Sequence, residues 1–243
     1  MRERCFIPIK ANRRRVVGKN FAELGGQPLF VHAVGHAVAV FGEDLLTVDT
    51  DSEAVLQVLT HRWPQIEVLD RHPDLAGDDA NGNHLLQHWA GLYPDLDWYW
   101  QWYVTSPFLS PDSVRALRSE ILIGGGRHDS GCTVERLADF IWHRSEAPHS
   151  DSLSMGMQPL YDVDRLPRSQ DLMPIFRETT GVYATSAQAL KETGSRLGGR
   201  ICFHPVSRVE AIDINDDQDL DIARMVWRSQ ADAGGDSPAK DRG

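Results

Sequence analysis

The segment CFIPIKANRRRVVGKN, residues 5 to 20, joins an apolar run directly to a basic loop. Cys5 to Ile9 predicts a short buried strand, since apolar residues dominate it and a polar loop follows at once. From Lys10 to Lys19 five of ten positions are basic, although the whole chain carries a formal net charge of -10. Backbone amides and cations at the end of a strand can hold phosphates. The segment therefore predicts either a phosphate-binding loop or a solvated basic loop.

Strands and helices alternate outward from this segment through the first half of the chain. Ser52 is the expected N-cap of the second helix. The further predicted strands are residues 44–50, 66–70 and 97–104, and the predicted helices are 28–41, 52–63, 84–93 and 111–122. Such alternation implies right-handed crossovers and a mostly parallel sheet. We expect an α/β fold with its functional residues in loops at the carboxyl ends of the strands.

The second half of the chain is less regular. Residues 140–176 contain four prolines and no clear periodicity, which predicts a lid, a binding loop or a dimerisation arm. The predicted elements that follow are strands at 180–185 and 200–206 and an amphipathic helix at 216–230. Residues 231–243 have almost no large apolar side chains, which predicts a disordered tail. The expected organisation is one domain over 1–230, with a long irregular insertion at about 140–176.

Composition excludes several classes of protein. The acidic balance argues against nucleic-acid binding, which needs basic residues spread over a face. No apolar run approaches the roughly 18 residues of a membrane span, and the start MRERCF lacks a secretory apolar segment, so we expect a cytoplasmic protein with no membrane partner. Cys5, Cys132 and Cys202 are widely spaced in apolar surroundings, which predicts buried thiols. The histidine spacing does not predict a zinc site.

Six motifs follow one another along the chain in a recognisable order. They are IPIKANRRRVVGKN with GGQPLFVHAV (7–34), TVDTDSEAV (47–55), RHPDLAGDDAN (71–81), VTSPFLSPDSV (104–114), RSQDLMPIFRETTGVY (168–183) and AIDINDDQDLDIA (211–223). This order resembles the acylneuraminate cytidylyltransferases, which activate sialic acid and related nonulosonic acids with CTP. The resemblance spans nearly the whole chain. It implies a three-layer αβα fold like that of the nucleotide-diphospho-sugar transferases, with a Rossmann-like, mixed and mostly parallel sheet.

The resemblance also implies a reaction and a set of residues. An acceptor oxygen attacks the α-phosphate of CTP with Mg²⁺ bound, and pyrophosphate leaves. The residues implied in catalysis are Lys10, Lys19 and Asp213, with Asp213 and Asn215 at the metal. Those implied in nucleotide binding are Ile9, Ala11, Asn12, Arg13, Arg14, Asn20, Arg71, Ala80 and Asn81. Those implied in acceptor binding are Arg15, Tyr103, Thr105, Ser106, Arg168, Arg177 and Thr180. A homodimer, formed through the irregular connection, is implied as well.

Simpler interpretations of some of these residues stay open. Arg71 and Arg177 could be surface cations, and Asp213 could simply end a strand. Asp49 and Asp51 form an Asp-x-Asp motif, which binds a metal and a diphosphate in many glycosyltransferases of similar architecture. Here the motif follows the second strand, so we interpret it as a turn and a helix start.

Departures from the family pattern bear on the acceptor. Tyr103 and Thr180 stand where the family has amides that help to grip a sugar, and Asn215 replaces an aspartate. An amide brings no charge to the metal and cannot take a proton from a hydroxyl, whereas a phosphonate oxygen is already ionised at neutral pH. Together with Arg13–Arg15, these changes favour a small phosphonate acceptor, as in the phosphonoformate cytidylyltransferases of phosphonate and phosphinate antibiotic pathways.

Three alternatives remain beside the phosphonate hypothesis. Within the same class, the protein could be a CMP-nonulosonate synthetase with an unusual pocket, and Asp216 could supply the missing carboxylate. In a second class, it could be a glycosyltransferase that uses Asp49 and Asp51 with a metal. In a third, it could be a homologue that binds nucleotide without catalysis, because Lys10 and Asn215 replace an arginine and an aspartate.

Overall fold

The computed structural model describes residues 1–11, 18–77, 79–123, 126–144 and 156–235. The α-helices in these ranges are α1 (Leu29–Phe41), α2 (Glu53–Arg62), α3 (Gly82–Leu92), α4 (Pro111–Ile123), α5 (Ala187–Thr193) and α6 (Asp217–Gly235). The strands are β1 (Glu3–Ile9), β2 (Glu23–Leu24), β3 (Gln27–Pro28), β4 (Leu46–Thr50), β5 (Glu67–Asp70), β6 (Trp98–Trp102), β7 (Ser130–Leu137), β8 (Trp142–Arg144), β9 (Met157–Pro159), β10 (Ile175–Ser186) and β11 (Ile201–Val206).

Seven of these strands form one sheet, in the order β11-β7-β10-β6-β1-β4-β5. Strand β1 lies at its centre and pairs in parallel with both β4 and β6. Strands β4 and β5 are also parallel, whereas β10 runs antiparallel to β6. The predicted α/β fold with a mixed, mostly parallel sheet is confirmed.

Alternate residues of β1 face opposite sides of the sheet, as the pleat of a strand requires. Cys5, Ile7 and Ile9 belong to one buried cluster, which also contains apolar residues of α1, α2 and α4. Phe6 belongs to a second cluster with residues of α3 and α5. Its ring stacks on Trp89 of α3, with centroids 4.7 Å apart. Helices therefore cover both faces of the sheet and form the expected three layers.

The connections place a crevice between β1 and β6. From β1 the chain passes through α1 to β4, whereas from β6 it passes through α4 to β7, on the other side of β1 in the strand order. Parallel sheets bind ligands where neighbouring strands send their connections in opposite directions. The loops after β1 and β6 are therefore the expected walls of the site.

Most predicted elements are present with shifted ends. Ser52 caps α2 as predicted, since its side chain accepts a hydrogen bond from the Val55 amide. Strand β10 begins five residues before the predicted start at residue 180, and α6 extends to Gly235. Strand β7 and helix α5 were not predicted, because the first is rich in small and polar residues and the second has only seven residues. Residues 236–243 lie outside the described ranges.

The chain divides into two compact units. The first comprises Met1–Val134 and Glu178–Gly243, and the second comprises Glu135–Arg177. Within the second unit, β8 and β9 form an antiparallel pair. The ring of Tyr161 meets those of Phe140 and Trp142 edge to face. The irregular segment predicted at 140–176 thus has a small aromatic cluster of its own.

All three cysteines are buried. Burial raises the pKa of each thiol, to about 12 for Cys132 and Cys202, so they remain protonated at neutral pH. None of the helices in the described ranges is long and apolar enough to cross a membrane.

Helix α6 packs against the small β2–β3 hairpin through Trp227, and this contact requires a glycine. Gly25 and Gly26 both have positive φ, of 59° and 78°, so an alanine at either position is strained by about 1–2 kcal/mol. A Cβ at Gly25 would also lie 2.2 Å from the Trp227 ring, whereas one at Gly26 would meet nothing within 4 Å.

We predict that Gly25→Ala destabilises the protein more than Gly26→Ala does, by about 1–3 kcal/mol, because only the first overpacks the Trp227 contact. Urea unfolding followed by far-ultraviolet circular dichroism measures both variants. Equal losses of unfolding free energy would contradict the packing of α6 against this hairpin.

Candidate active site

The two ends of the first basic loop are tied together at the carboxyl end of β1. Lys19 and Asn20 begin a short 3-10 turn and are only 5% and 2% exposed. The Asn20 side-chain amide donates a hydrogen bond to the Lys10 carbonyl oxygen, with a distance of 2.9 Å. The nearly buried Lys19 thus lies next to a residue that is tied to the end of a central strand. Asn12, Arg13, Arg14 and Arg15, which were predicted to bind nucleotide or acceptor, lie outside the described residues.

Two aspartates at the end of β4 accept hydrogen bonds from neighbouring elements. Asp49 is fully buried, and its Oδ1 accepts from Arg71 Nε at 2.7 Å. Its Oδ2 accepts from the Trp89 indole N–H, also at 2.7 Å. The Asp51 carboxylate accepts from the Ala11 backbone amide at 2.7 Å, just after β1 ends at Ile9. A metal at Asp49 would have to displace a buried arginine and an indole, which weighs against the glycosyltransferase hypothesis.

Arg71 is an interior residue rather than a surface cation. Its side chain is 4% exposed, and its Nη2 donates to the Asp49 carbonyl oxygen at 3.0 Å. Its backbone amide donates to the Thr50 carbonyl oxygen, which continues the pairing of β4 with β5 by one residue. The alternative that Arg71 lies on the surface is therefore wrong.

The loop that begins at Arg71 ends at the N-terminus of α3. Asn81 is the N-cap of this helix, and its side chain accepts hydrogen bonds from the Asn83 and His84 amides. Ala80 precedes the cap and is partly buried. The loop predicted to select the base is thus anchored at both ends, by Arg71 and by Asn81.

The loop after β6 carries three of the predicted acceptor residues, Tyr103, Thr105 and Ser106. Thr105 and Ser106 are buried, and the Tyr103 amide donates to the Gly181 carbonyl oxygen on β10 at 2.9 Å. Next to Gly181, Thr180 has a φ of 56° and is the one described non-glycine residue with positive φ. Strain of this kind in a β-branched residue is concentrated at functional sites.

The segment that contains Asp213 lies against the same loop. The Ile214 amide donates to the Thr105 carbonyl oxygen at 2.8 Å. Asp213 Oδ1 is buried and makes no hydrogen bond to any described residue, whereas its Oδ2 accepts from the Asn215 side-chain amide at 2.9 Å. A lone carboxylate oxygen of this kind suits Mg²⁺, which is usually held by one or two carboxylates, phosphates and waters.

The neighbours of Asp213 have other roles in this structure. The Asn215 side-chain N–H donates a hydrogen bond to the Asp213 carboxylate, so this amide orients the carboxylate in addition to any contact with a metal. Asp216 accepts from the Asp219 amide at 2.9 Å, at the start of α6. Among the described residues, no three histidine, cysteine or acidic side chains are grouped as metal ligands.

Glu210 fixes the path of the chain toward Asp213. Its Oε1 accepts from the Ser110 and Ser113 hydroxyls at 2.7 and 2.6 Å, and its Oε2 accepts from the amide and hydroxyl of Ser207. Burial raises the pKa of Glu210, but the hydrogen bonds from the three serines outweigh this and lower it to about 2. This carboxylate joins the start of α4 to the segment that follows β11.

Two predicted acceptor residues lie in the second unit, Arg168 and Arg177. Arg168 pairs with Asp171 at 2.7 Å, and Arg177 pairs with Glu135 at 2.6 Å. Both arginines are exposed, with 74% and 55% of their side chains accessible. Each therefore has an acidic partner in its own unit.

Sequence reasoning missed Arg196. Its guanidinium lies 3.7 Å from the centroid of the Tyr183 ring, and its backbone amide donates to the Asn83 side chain at the start of α3. A Cβ on Gly82 would lie 2.6 Å from the Tyr103 hydroxyl and 3.1 Å from Arg196 Nη1. Nothing in the local sequence marks this cation, because its neighbours come from distant parts of the chain.

These features define an α/β protein whose candidate site lies at the carboxyl edge of a mostly parallel sheet, between β1 and β6, with a buried lysine and a lone carboxylate oxygen. Residues 5–139, more than half of the chain, match the family described as cytidylyltransferase. The chain belongs to the cytidylyltransferase family.

Relatives and solved structures agree with this family. An N-acylneuraminate cytidylyltransferase of Streptococcus agalactiae is 22% identical over 90% of this chain and 52% of its own length, so the chain spans about half of that relative. A pseudaminic acid cytidylyltransferase of Campylobacter jejuni is 20% identical over 94% of this chain and 97% of its own. The fold is similar to that of CMP:2-keto-3-deoxy-manno-octonic acid synthetase complexed with CTP, with a TM-score of 0.64, 15% identity and coverage of 95% and 100%.

The lowered pKa of Glu210 predicts how stability depends on pH. Because the folded pKa is depressed, the Glu210 carboxylate stabilises the protein above its unfolded pKa, and this contribution is lost as the pH falls toward about 2. We expect Glu210→Gln to lower the unfolding free energy by about 1–3 kcal/mol at pH 7, since the acceptor loses its charge and one of its two oxygens becomes an NH2 group that cannot accept from the serines. This difference should shrink between pH 4.5 and pH 2.5, and urea unfolding across that range measures it. A difference that is constant with pH would contradict the assignment.

Proposed function

We propose that the protein transfers CMP from CTP to a sugar acid related to the nonulosonic and 3-deoxy-octulosonic acids, with release of pyrophosphate. The observation that carries the proposal is the site at the carboxyl edge of the sheet, in a chain of the cytidylyltransferase family. There the loop of Lys19 and Asn20 and the buried Asp213 oxygen are presented on neighbouring connections. Both relatives described above are named for nonulosonic acids, and the similar solved structure is named for an octulosonic acid.

In this proposal the chain binds and orients the triphosphate. Lys10 and Lys19 neutralise phosphate oxygens beside the end of β1, where Ile9 and Ala11 contribute backbone groups. Arg13 and Arg14 contribute further charge, and Asn12 contributes an amide that can bond a phosphate oxygen. Asn20, Arg71, Ala80 and Asn81 select the base. Transfer of this kind depends mostly on positioning and on neutralising the charge that develops on the phosphoryl oxygens.

We further propose that Asp213 holds Mg²⁺. Bound there, the ion would neutralise charge on the triphosphate. Asp213 Oδ1 suits it as a ligand because this buried oxygen has no partner among the described residues. Asn215 would keep the carboxylate in its orientation through the N–H it donates, and could add an amide oxygen only by turning over.

The acceptor is proposed to bind on the β6 side of the crevice. Thr105, Ser106 and Thr180 offer hydroxyls, and Tyr103 offers a phenol. Arg15, Arg168 and Arg177 are proposed to bind the acceptor's anionic group, since arginine pairs with a carboxylate through two parallel hydrogen bonds. Thus a sugar acid and a small phosphonate both have the negative charge that these residues require.

A phosphonate acceptor is the second candidate. Two features of this chain favour it: the cations Arg13–Arg15, and the replacement of family amides at Tyr103 and Thr180. The relatives described above favour the sugar acid instead, since each is named for one. We therefore place the sugar acid first.

A homodimer formed through the second unit is also proposed. Several large apolar side chains of that unit are exposed, among them Leu166 at 70% and Met173 at 77%. The others are Phe140, Trp142, Met157, Leu160, Val163 and Phe176. An apolar surface of this kind commonly marks an association site.

Pyrophosphate release from each of the four nucleoside triphosphates with Mg²⁺ tests the proposal. The acceptors are N-acetylneuraminic acid, pseudaminic acid, 3-deoxy-manno-octulosonic acid and phosphonoformate. We expect release with CTP and at least one sugar acid, and a loss of about 100-fold or more in kcat/KM for Lys19→Ala, which removes a charge aimed at the phosphates. Release with phosphonoformate alone would replace the sugar acid by the phosphonate. An absence of release with every pair would overturn the proposed activity.

Asn215→Asp tests the metal site. Asn215 Nδ2 now donates to Asp213 Oδ2 at 2.9 Å, so the change places a second carboxylate beside that of Asp213. A divalent cation relieves the repulsion between the two carboxylates. We expect the Mg²⁺ concentration for half-maximal activity, or for half-maximal tightening of CTP binding, to fall by about tenfold, because the ligand charge increases. Asn215→Ala, which removes the N–H without adding charge, is the control and should raise that concentration. If both variants leave the Mg²⁺ dependence unchanged, the metal does not bind beside Asn215.

A further inference from the structure

The ion pair between Asp49 and Arg71 lies almost entirely inside the protein. The two side chains are 1% and 4% exposed, and Arg71 Nε lies 2.7 Å from Asp49 Oδ1. Arg71 Nη2 also donates to the Asp49 backbone carbonyl oxygen, so both donors along one edge of the guanidinium are fixed by one residue. Trp89 occupies the other carboxylate oxygen, which stops the Asp49 side chain from turning away.

A contact of this kind is an expensive way to stabilise a fold. Removing two charges from water costs several kcal/mol for each ion, and well-packed apolar residues often replace such pairs without loss of stability. The pair does, however, fix direction: a planar guanidinium held by two donors on one edge keeps one orientation, and three of its five N–H groups lie outside these bonds. The main effect of the ion pair is therefore to fix the orientation of the Arg71 guanidinium.

Arg71 is also the first residue of the loop proposed to select the base. Its backbone amide bonds to the Thr50 carbonyl oxygen, one residue beyond Asp49. The far end of the loop is held by Asn81, the N-cap of α3, and Trp89 belongs to that same helix. Asp49 thus contacts both the residue that begins the loop and the helix that ends it.

We propose that Asp49 is a positioning residue for the nucleotide. It orients Arg71 so that the site binds CTP in preference to UTP. The inference rests on the proposed function, because it matters only in a protein that binds CTP. It also gives the Asp-x-Asp motif a role different from metal binding: Asp49 acts through an arginine and Asp51 through the Ala11 amide.

A double-mutant cycle on CTP binding tests this proposal. The variants are Asp49→Asn, Arg71→Gln and the double variant, and calorimetry with Mg²⁺ gives the Kd for CTP and for UTP. We expect Asp49→Asn to raise the Kd for CTP by about tenfold or more, as breaking one partner of a buried charge pair does. The double variant should bind CTP as Arg71→Gln does, within about twofold, because Asp49 acts through Arg71. Additive losses in the double variant would overturn the proposal.

The ratio of the UTP and CTP dissociation constants separates positioning from loss of folded protein. A partly unfolded population lowers the binding of both nucleotides equally, whereas a displaced Arg71 lowers the preference for CTP. Trp89→Phe is the matched control: it keeps a ring against Phe6 and removes the N–H to Asp49, and should change the ratio less than Asp49→Asn does.

Should Asp49→Asn fail to fold, Arg71→Lys keeps a cation opposite Asp49 but lacks the planar fork. It should lose preference for CTP, and an unchanged ratio would overturn the proposal. Wild-type protein that binds neither nucleotide would overturn the proposed function as well. Wild-type protein that prefers CTP, with the same preference in Asp49→Asn, would overturn the inference alone.

Discussion

The buried carboxylate of Asp49 is the contact on which the β4–β5 side of the candidate site depends. It accepts from Arg71 after β5 and from Trp89 on α3, and the Trp89 ring stacks on Phe6 of β1. The Asp49 side chain therefore connects the ends of β4 and β5 to α3, which packs on the Phe6 face of the sheet. Removing Asp49 or Arg71 would leave the charge of the other uncompensated in the interior. Loss of either residue therefore disrupts the whole set of contacts around Asp49. Asp51 extends it by holding the Ala11 amide at the start of the first basic loop.

The opposite wall of the crevice is held instead by backbone hydrogen bonds and by a carboxylate whose partners are neutral hydroxyls. Ile214 bonds to the Thr105 carbonyl oxygen, and Glu210 gathers hydroxyls from Ser110, Ser113 and Ser207. These bonds fix the direction of the segment on either side of Asp213. Its buried Oδ1 makes no hydrogen bond to any described residue, which is why we propose this oxygen as a ligand of the cation.

The sequence predicts the elements of the fold that have a strong periodicity. It does not predict contacts between residues that are far apart in the chain. The β1 strand and the Ser52 cap are both local patterns, and the structure contains them. Strand β7 was missed because SGCTVERL alternates only weakly, and α5 because seven residues are too few for a helical period. The role of Asp49 was missed for another reason: its partners are 22 and 40 residues away, and only the order of strands brings them together. A buried aspartate in a strand needs a cationic partner. Arg71, which directly follows the next strand, is the residue from which this pair could have been predicted.

The structure also changes what Asn215 implies about the acceptor. The loss of a carboxylate suggested an acceptor that needs no deprotonation, since an amide cannot take a proton. In the structure the amide donates its N–H to the remaining carboxylate, which spreads the charge of Asp213 and keeps it oriented. In the metal site proposed above, that effect would act on the affinity for Mg²⁺, and it would be the same whether the nucleophile is a sugar hydroxyl or a phosphonate oxygen. Under that proposal Asn215 bears on the metal more than on the acceptor. What distinguishes the acceptors must come from groups that touch them, and on the β6 side the groups proposed for this role are Tyr103 and the strained Thr180.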